Sequence, residues 1–419
     1  MRIDNHWLPS LLSAGLRTSW LLLLVVGINN VGFAQTVAYT NVTIESISDD
    51  KVENGTLVVD GDEIVAVGKD VDIPDNARVV SMKGMTIMPG MVDPYFVFKR
   101  GAGGGTRTIQ FRGRTVTVPN RGGGNIATGS FSWIAKYFYP YTFNFRPAMR
   151  SGITTGNLVS DGRGLSAFAN VIGDGSKDLV FQEEGVLYAQ VTNQTSAMDI
   201  IRRPLEGNNR RTTNTRTQAA GRTAGTATTA NSDTSTTEYW QAVREGKSPL
   251  FVNVNNAAGV AHLLKAIKKH DKVKLVLVAT GPNLFQSLDE IKENKNVTVV
   301  LQPGIDTVPF KSDLMNVSRM LAEREIPFAI SMSLSGNQLQ LSQDDPMFPL
   351  AMLVRNGLDR KTTLESVTIK PAELLGIEKT HGTLEKGKKA NFLVFDGDPM
   401  ETGSQLQKVF LDGKLTYEN

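Results

Sequence analysis

Side chains that hold catalytic metals are scarce in this chain. Of 419 residues, four are histidine (His6, His262, His270 and His381) and none is cysteine. The lack of cysteine excludes disulfides, thiolate metal sites and thiol nucleophiles together. His262 and His270 stand eight apart on a predicted helix, on roughly one face but two turns (~12 Å) apart, too far to share one ion. Both are expected to be exposed helix residues. His381 falls in the loop before a C-terminal group of strands, and His6 lies in a leader-like segment. Ser331, Ser333 and Ser335 offer hydroxyls, yet no His is placed to activate one as a nucleophile. Asp306, Asp344 and Asp345 lie in loops; a carboxylate pair can carry out glycoside chemistry, but nothing in the sequence fixes their separation.

The elements that would position such groups are legible from hydrophobic period and turn residues. Residues 36–90 read as successive strands, Val37–Ile47, Gly55–Val59, Glu63–Gly68, Val79–Met82 and Met85–Met88, with Gly61-Asp62 as a turn. Pro89-Gly90 reads as a tight turn feeding a strand. Side chains two apart on a strand share a face, so Tyr95 and Val97 point the same way. From about 91 to 375, short apolar runs (Leu250–Val254, Lys274–Ala279, Val297–Leu301, Pro327–Met332) alternate with amphipathic helices at Ala257–His270, Leu284–Lys292 and Asp313–Arg324. Further helices are expected at Pro346–Asn356 and Leu364–Leu375. This alternation predicts a parallel α/β sheet, and eight such units would close a barrel with its site at the C-terminal strand ends. Asn391–Phe395 and a hairpin over Lys408–Tyr417, turning at Asp412-Gly413, make the C-terminal end β-rich again.

Two stretches break the pattern. Residues 100–125 are rich in Gly and Arg but fit no phosphate-cradling motif, and read as a flexible loop. Residues 205–238 are dense in Thr, Asn and Ala, with few apolar groups to offset the entropy of ordering. That segment reads as either a mobile lid or disorder.

Charge and composition narrow the classes further. Lys and Arg number 45 against 42 Asp and Glu, a formal net charge of +3. So balanced a chain is not a nucleic-acid binder driven by bulk charge. Residues 1–34 carry Arg2 and Arg17, a short apolar run from Trp20 to Ile28, and small residues at Gly32 and Ala34. That is the pattern of a cleavable signal peptide, with cleavage after Ala34. The apolar run is well short of the ~20 residues that span a bilayer. A secreted or periplasmic protein without a membrane span in its mature form is therefore expected.

The stretch Pro89-Gly90-Met91-Val92-Asp93-Pro94-Tyr95-Phe96-Val97 resembles the opening of the amidohydrolase superfamily barrel, in which two His of an H-x-H follow the Asp. "SGITT" (151–155) resembles that family's second strand, and "NVIGDG" (170–175) a loop of its imidazolonepropionase-like branch. The tail "LVRNGLDRKTTLESVTIKPAELLGIEKTHGTLEKGKKANFLVFDGDPM" (353–400) is similar to the family's C-terminal part. The resemblance implies a (β/α)8 TIM barrel of the metal-dependent hydrolase type over 91–380. It also implies a small composite β-sandwich from 35–90 and 381–419. The implied chemistry is hydrolysis of a non-peptide carbon–nitrogen bond, in a cyclic amide or blocked dipeptide, with one or two metal ions activating water.

The positions that the family gives to metal ligands are altered here. Tyr95 and Val97 replace the two His of the first strand. Asn253 stands at the ligand position of the fifth, with Asn255 two residues on. Ala279 or Thr280 stands on the sixth, and Ser333 at the catalytic Asp position of the eighth. The fourth offers Glu183 and Glu184 before the strand and Gln190 near its end. Amide and hydroxyl groups do not replace imidazole at zinc. The expectation is thus a pseudoenzyme without a metal cofactor, whose former cavity, lined by Tyr95, Asn253, Asn255 and Ser333, binds a small amide-like ligand. Equally, it could support a catalytically competent amidohydrolase relative or form a homo-oligomer. The alternative is a working hydrolase with a divergent site, which would use a divalent metal such as zinc.

Overall fold

The computed structural model describes residues 36–97, 106–111, 114–119, 131–138, 145–171, 179–207, 236–281, 284–307, 313–334 and 345–419. The proposed signal segment, Ser335, Asp344, and most of the 205–238 stretch lie outside these residues. Among the described residues, no helix is long and apolar enough to cross a membrane.

Both ends of the chain meet in one eight-stranded sheet. Strand Val37–Ile44 pairs antiparallel with Val52–Asp60, which pairs with Glu63–Gly68. On its other side Val37–Ile44 runs parallel to Arg78–Ser81 and to Thr86–Pro89. Thr86–Pro89 then pairs antiparallel with Phe392–Phe395, which leads through Leu406–Leu411 to Lys414–Glu418. All four residues of Phe392–Phe395 are buried. They are shared by period-2 alternation: Phe392 and Val394 enter a core with Tyr39, Ile44, Leu57 and Ile87, while Leu393 and Phe395 enter the larger α/β core. A strand covered on both faces reads as a continuous apolar run, as this one does.

The α/β part holds a run of five parallel strands, Leu187–Val191, Leu250–Val254, Leu275–Ala279, Val297–Leu301 and Phe328–Ile330, in unbroken register. A second sheet holds Met91–Val97 parallel to Ile153–Val159, followed by antiparallel Ala167–Asn170 and Val180–Gln182. Asn256, at the end of the Leu250–Val254 strand, starts helix Ala257–Ile267, its side chain accepting from Gly259 N. Helices Val317–Glu323 and Phe348–Arg355 lie near their predicted places.

Four expectations need correction. The single helix predicted over Leu364–Leu375 is two, Arg360–Glu365 and Ile369–Leu375. The interruption has a use. Ser366 O accepts from Ile330 N (2.8 Å) and Val367 O from Val92 N (2.9 Å), so carbonyls that a continuous helix would consume join two strands instead. Pro89-Gly90 is a direct passage from Thr86–Pro89 into Met91–Val97, not a tight turn. Gly90 is needed for proximity: a Cβ there would lie 2.2 Å from Thr154 Oγ1. The Gly-rich stretch 100–125 contains an antiparallel pair, Thr106–Phe111 with Arg114–Pro119, so it is not all loop. The β-branched residues Thr106, Thr108, Ile109 and the run Thr115–Val118 carried that signal. Finally, the 205–238 stretch is ordered at its margins, where Leu205 ends a helical turn and Thr237–Arg244 forms a helix that buries Trp240 and Val243.

Candidate functional site

Asp93 is the hub of a buried hydrogen-bond network. It is 1% exposed, and three donors converge on its carboxylate. Oδ1 accepts from Ser331 Oγ (2.7 Å) and Tyr95 N (3.0 Å), and Oδ2 accepts from Ser333 N (2.9 Å). Ser333 Oγ donates to Tyr95 O at 3.3 Å. Burial pushes the Asp93 carboxyl up, and the hydrogen bonds from Ser331, Tyr95 and Ser333 oppose that rise. Among the described residues, no backbone ladder joins Met91–Val97 to Phe328–Ile330; this carboxylate spans them.

Tyr95 is 3% exposed, and the Asn253 side chain lies near its phenol. Burial raises the Tyr95 phenol above its ordinary range, so it stays neutral. Asn253 Oδ1 also accepts from Thr280 Oγ1 (2.9 Å), while Thr280 N donates to Val254 O (3.1 Å). Asn253 and Thr280 thus link the ends of two neighbouring strands. Asn253 is half-buried and is paired in register with Gln190, also half-buried, on the neighbouring strand. Nearby, Tyr188 and Ser160 hydroxyls are hydrogen-bonded at 2.8 Å, and Asn157 Nδ2 donates to Pro94 O (2.9 Å).

The structure therefore brings together Tyr95, Asn253 and Ser333 of the expected lining. It does not bring in Asn255, which is exposed and accepts a hydrogen bond from Asn256 Nδ2 (2.8 Å). A strand residue two beyond Asn253 would share its face, but the strand ends at Val254 and the chain turns into the capping position. On the sixth strand the participating side chain is Thr280, whereas Ala279 is buried in the core. Val97 is half-buried at the end of its strand.

The other candidates are dispersed. Asp306 is exposed on a two-residue strand, and Asp345 accepts from Phe348 N as a helix-start residue. Glu183 and Glu184 are exposed. His262 and His270 are half-buried rather than exposed, and the helix ends at Ile267, before His270. His381 is 8% exposed, stacked on Phe181 with ring centroids 5.4 Å apart, and bonded to Thr380 Oγ1 (2.8 Å). Burial, with Lys389 and Lys388 nearby, pushes its imidazole down to about 4.

Sequence reasoning missed the roles of Asp93, Thr280 and Ser331. For Asp93 the signal was the strand period, since 93 shares a face with 95; Ser331 and Thr280 stand just past their strands, where that period gives no guide. The donor set around Asp93 does not suit zinc. It comprises a phenol, an amide and hydroxyls around one carboxylate whose two oxygens already accept protein N–H and O–H groups. Among the described residues, no group of three or more His, Asp or Glu is placed to hold a metal ion.

Residues 227–416 match the model of the amidohydrolase family, and the chain carries a domain of that family. Its sequence is 33% identical over 108 residues to the imidazolonepropionase of Thermoplasma acidophilum, covering 26% of this chain and 25% of that protein. It is 34% identical over 87 residues to the imidazolonepropionase of Acinetobacter baumannii, covering 18% of this chain and 22% of that protein. The match thus spans about a quarter of the length of these curated relatives. The crystal structure of an amidohydrolase from Thermotoga maritima has the same fold, with a TM-score of 0.68 at 17% identity over 91% of this chain and all of that one.

Proposed function

We propose that this chain is an exported amidohydrolase-family protein that does not catalyse hydrolysis, and that its former catalytic cavity binds a small, uncharged amide-like ligand. In this reading the parallel strands close into a (β/α)8 barrel, and the shared sheet is a composite β-sandwich beside it. The observation that carries the proposal is the state of Asp93. Its carboxylate is engaged by Ser331, Ser333 N and Tyr95 N, while Tyr95, Asn253 and Ser333 hold the positions of family ligands. A carboxylate with three donors already on it has lost much of its capacity to coordinate a cation or take a proton from water.

Ligand contact would come from the half-buried rim, Asn253 and Gln190, rather than from Tyr95 and Ser333, which lie beneath it. Amide side chains offer both donors and acceptors and so suit a neutral polar ligand. Association with a metal-bearing relative or a second copy is compatible with this role, and co-purification from the native host tests it.

Elemental analysis of the purified protein decides between a pseudoenzyme and a working hydrolase. The expected result is trace metal only, with no rise in melting temperature on adding zinc. One tightly held divalent ion per chain would sink the proposal.

A further inference from the structure

Four successive parallel strands carry uncharged polar side chains at or just past their C-terminal ends: Gln190, Asn253, Thr280 and Gln302. Among them, Asn253 has its orientation fixed by a neighbour. Thr280 Oγ1 lies 2.9 Å from Asn253 Oδ1 and 3.5 Å from Val254 O, and its single hydrogen goes to the shorter contact. The Thr280 backbone has no room to retreat. Its N–H donates to Val254 O (3.1 Å), and at the next residue, Gly281, a Cβ would lie 1.7 Å from Asn255 O. The carbonyl of the Asn253 amide is thus taken up by the end of the neighbouring strand, and its N–H₂ is the group left for other partners. That group has two hydrogens to give. The side chain is half-buried, with the Tyr95 phenol near it on the inner side.

We infer that Thr280 is a positioning residue that makes Asn253 a hydrogen-bond donor, so that the ligand of this site is a neutral molecule bound through a carbonyl oxygen. This rests on the non-catalytic reading above and narrows its amide-like ligand to one that presents its carbonyl. The four strand-end residues carry no positive charge, and a carboxylate would need one to offset its desolvation. Gln190, in register beside Asn253 and also half-buried, can turn either end of its amide toward the rest of the ligand.

Calorimetric titration of the purified full chain with δ-valerolactam and with N-methyl-δ-valerolactam tests the assignment. The second probe keeps the carbonyl and lacks the N–H, and both are expected to bind with similar affinity. Asn253→Asp keeps the size but has no N–H to donate, and should weaken both probes by about tenfold or more. Thr280→Val releases the amide to turn and should weaken both by about threefold, whereas Thr280→Ser keeps the hydroxyl and should bind like the parent. The melting temperature of each variant, measured alongside, separates loss of binding from loss of fold. Failure of both lactams to bind, binding only of the lactam with an N–H, or unchanged binding by Asn253→Asp would overturn the carbonyl site. Equal binding by Thr280→Val and Thr280→Ser would overturn the positioning role. Appearance of the ring-opened amino acid, or one tightly held metal ion per chain, would overturn the non-catalytic reading and leave the donor role of Asn253 standing.

Discussion

Asp93 shows how little of a residue's role follows from its type. A buried carboxylate costs stability unless donors surround it, and Tyr95 N, Ser331 and Ser333 N supply them here. Replacing it with Asn, Asp93→Asn, would turn an amide N–H₂ toward groups that donate, and should cost about 2 kcal/mol by urea denaturation. His381 makes a prediction about pH. Its imidazole is held down to about 4 from an ordinary 6.5 by burial. The unfolded chain therefore binds a proton below about 6.5 while the folded one resists it down to about 4. Stability is fully present above the upper value and falls as pH drops through that window, by about 3 kcal/mol in all. Denaturation curves at pH 7 and pH 4.5 should differ by most of that amount, and His381→Phe should flatten the difference. The residues around Asp93 and Asn253 were half legible in the sequence. Tyr95, Asn253 and Ser333 stand out because they break a family pattern, whereas Thr280 and Asp93 could be recognised as partners only once the strands lay side by side.

Among the elements, those defined by strong periodicity were placed well. Leu250–Val254 and Val297–Leu301 are strands over the residues their apolar runs indicate, and the Asp412-Gly413 turn joins Leu406–Leu411 to Lys414–Glu418. The failures arose where long-range partners override local preference. Ser366 and Val367 leave the helix because their carbonyls are taken by Ile330 and Val92 from two distant strands, and no local pattern announces that. Gly90 looked like turn punctuation but is a point of close passage beside Thr154. Gly90→Ala should therefore destabilise the protein by about 1–3 kcal/mol through overpacking. The midpoint of urea unfolding should fall without a change in slope.

For the whole molecule, a charge cluster fastens the α/β part to both chain ends. Arg360 donates to Glu45 Oε2 (3.0 Å) and to Asp398 Oδ1 (2.9 Å), and Lys51 also pairs with Asp398 (3.2 Å). Glu45 is 6% exposed, so Arg360→Ala leaves its carboxylate buried with only Lys51 beside it, at 3.7 Å. A loss of about 2 kcal/mol is expected, read from the thermal midpoint. Arg360→Ala should not alter metal content, because the cluster includes none of Asp93, Tyr95, Asn253 or Ser333.

The sheet shared by the chain ends also sets a timetable. Thr86–Pro89 has Phe392–Phe395 as its antiparallel neighbour, some 300 residues further along the chain. During synthesis the first strands must wait, with one flank unpaired, until the last ones emerge. Contacts so distant along the chain are slow to form, and an open strand flank invites pairing with other chains. The vulnerability of this protein thus lies in its assembly interval rather than in its finished form. Any delay in producing the last segment prolongs the time during which a second, nascent copy can take its place.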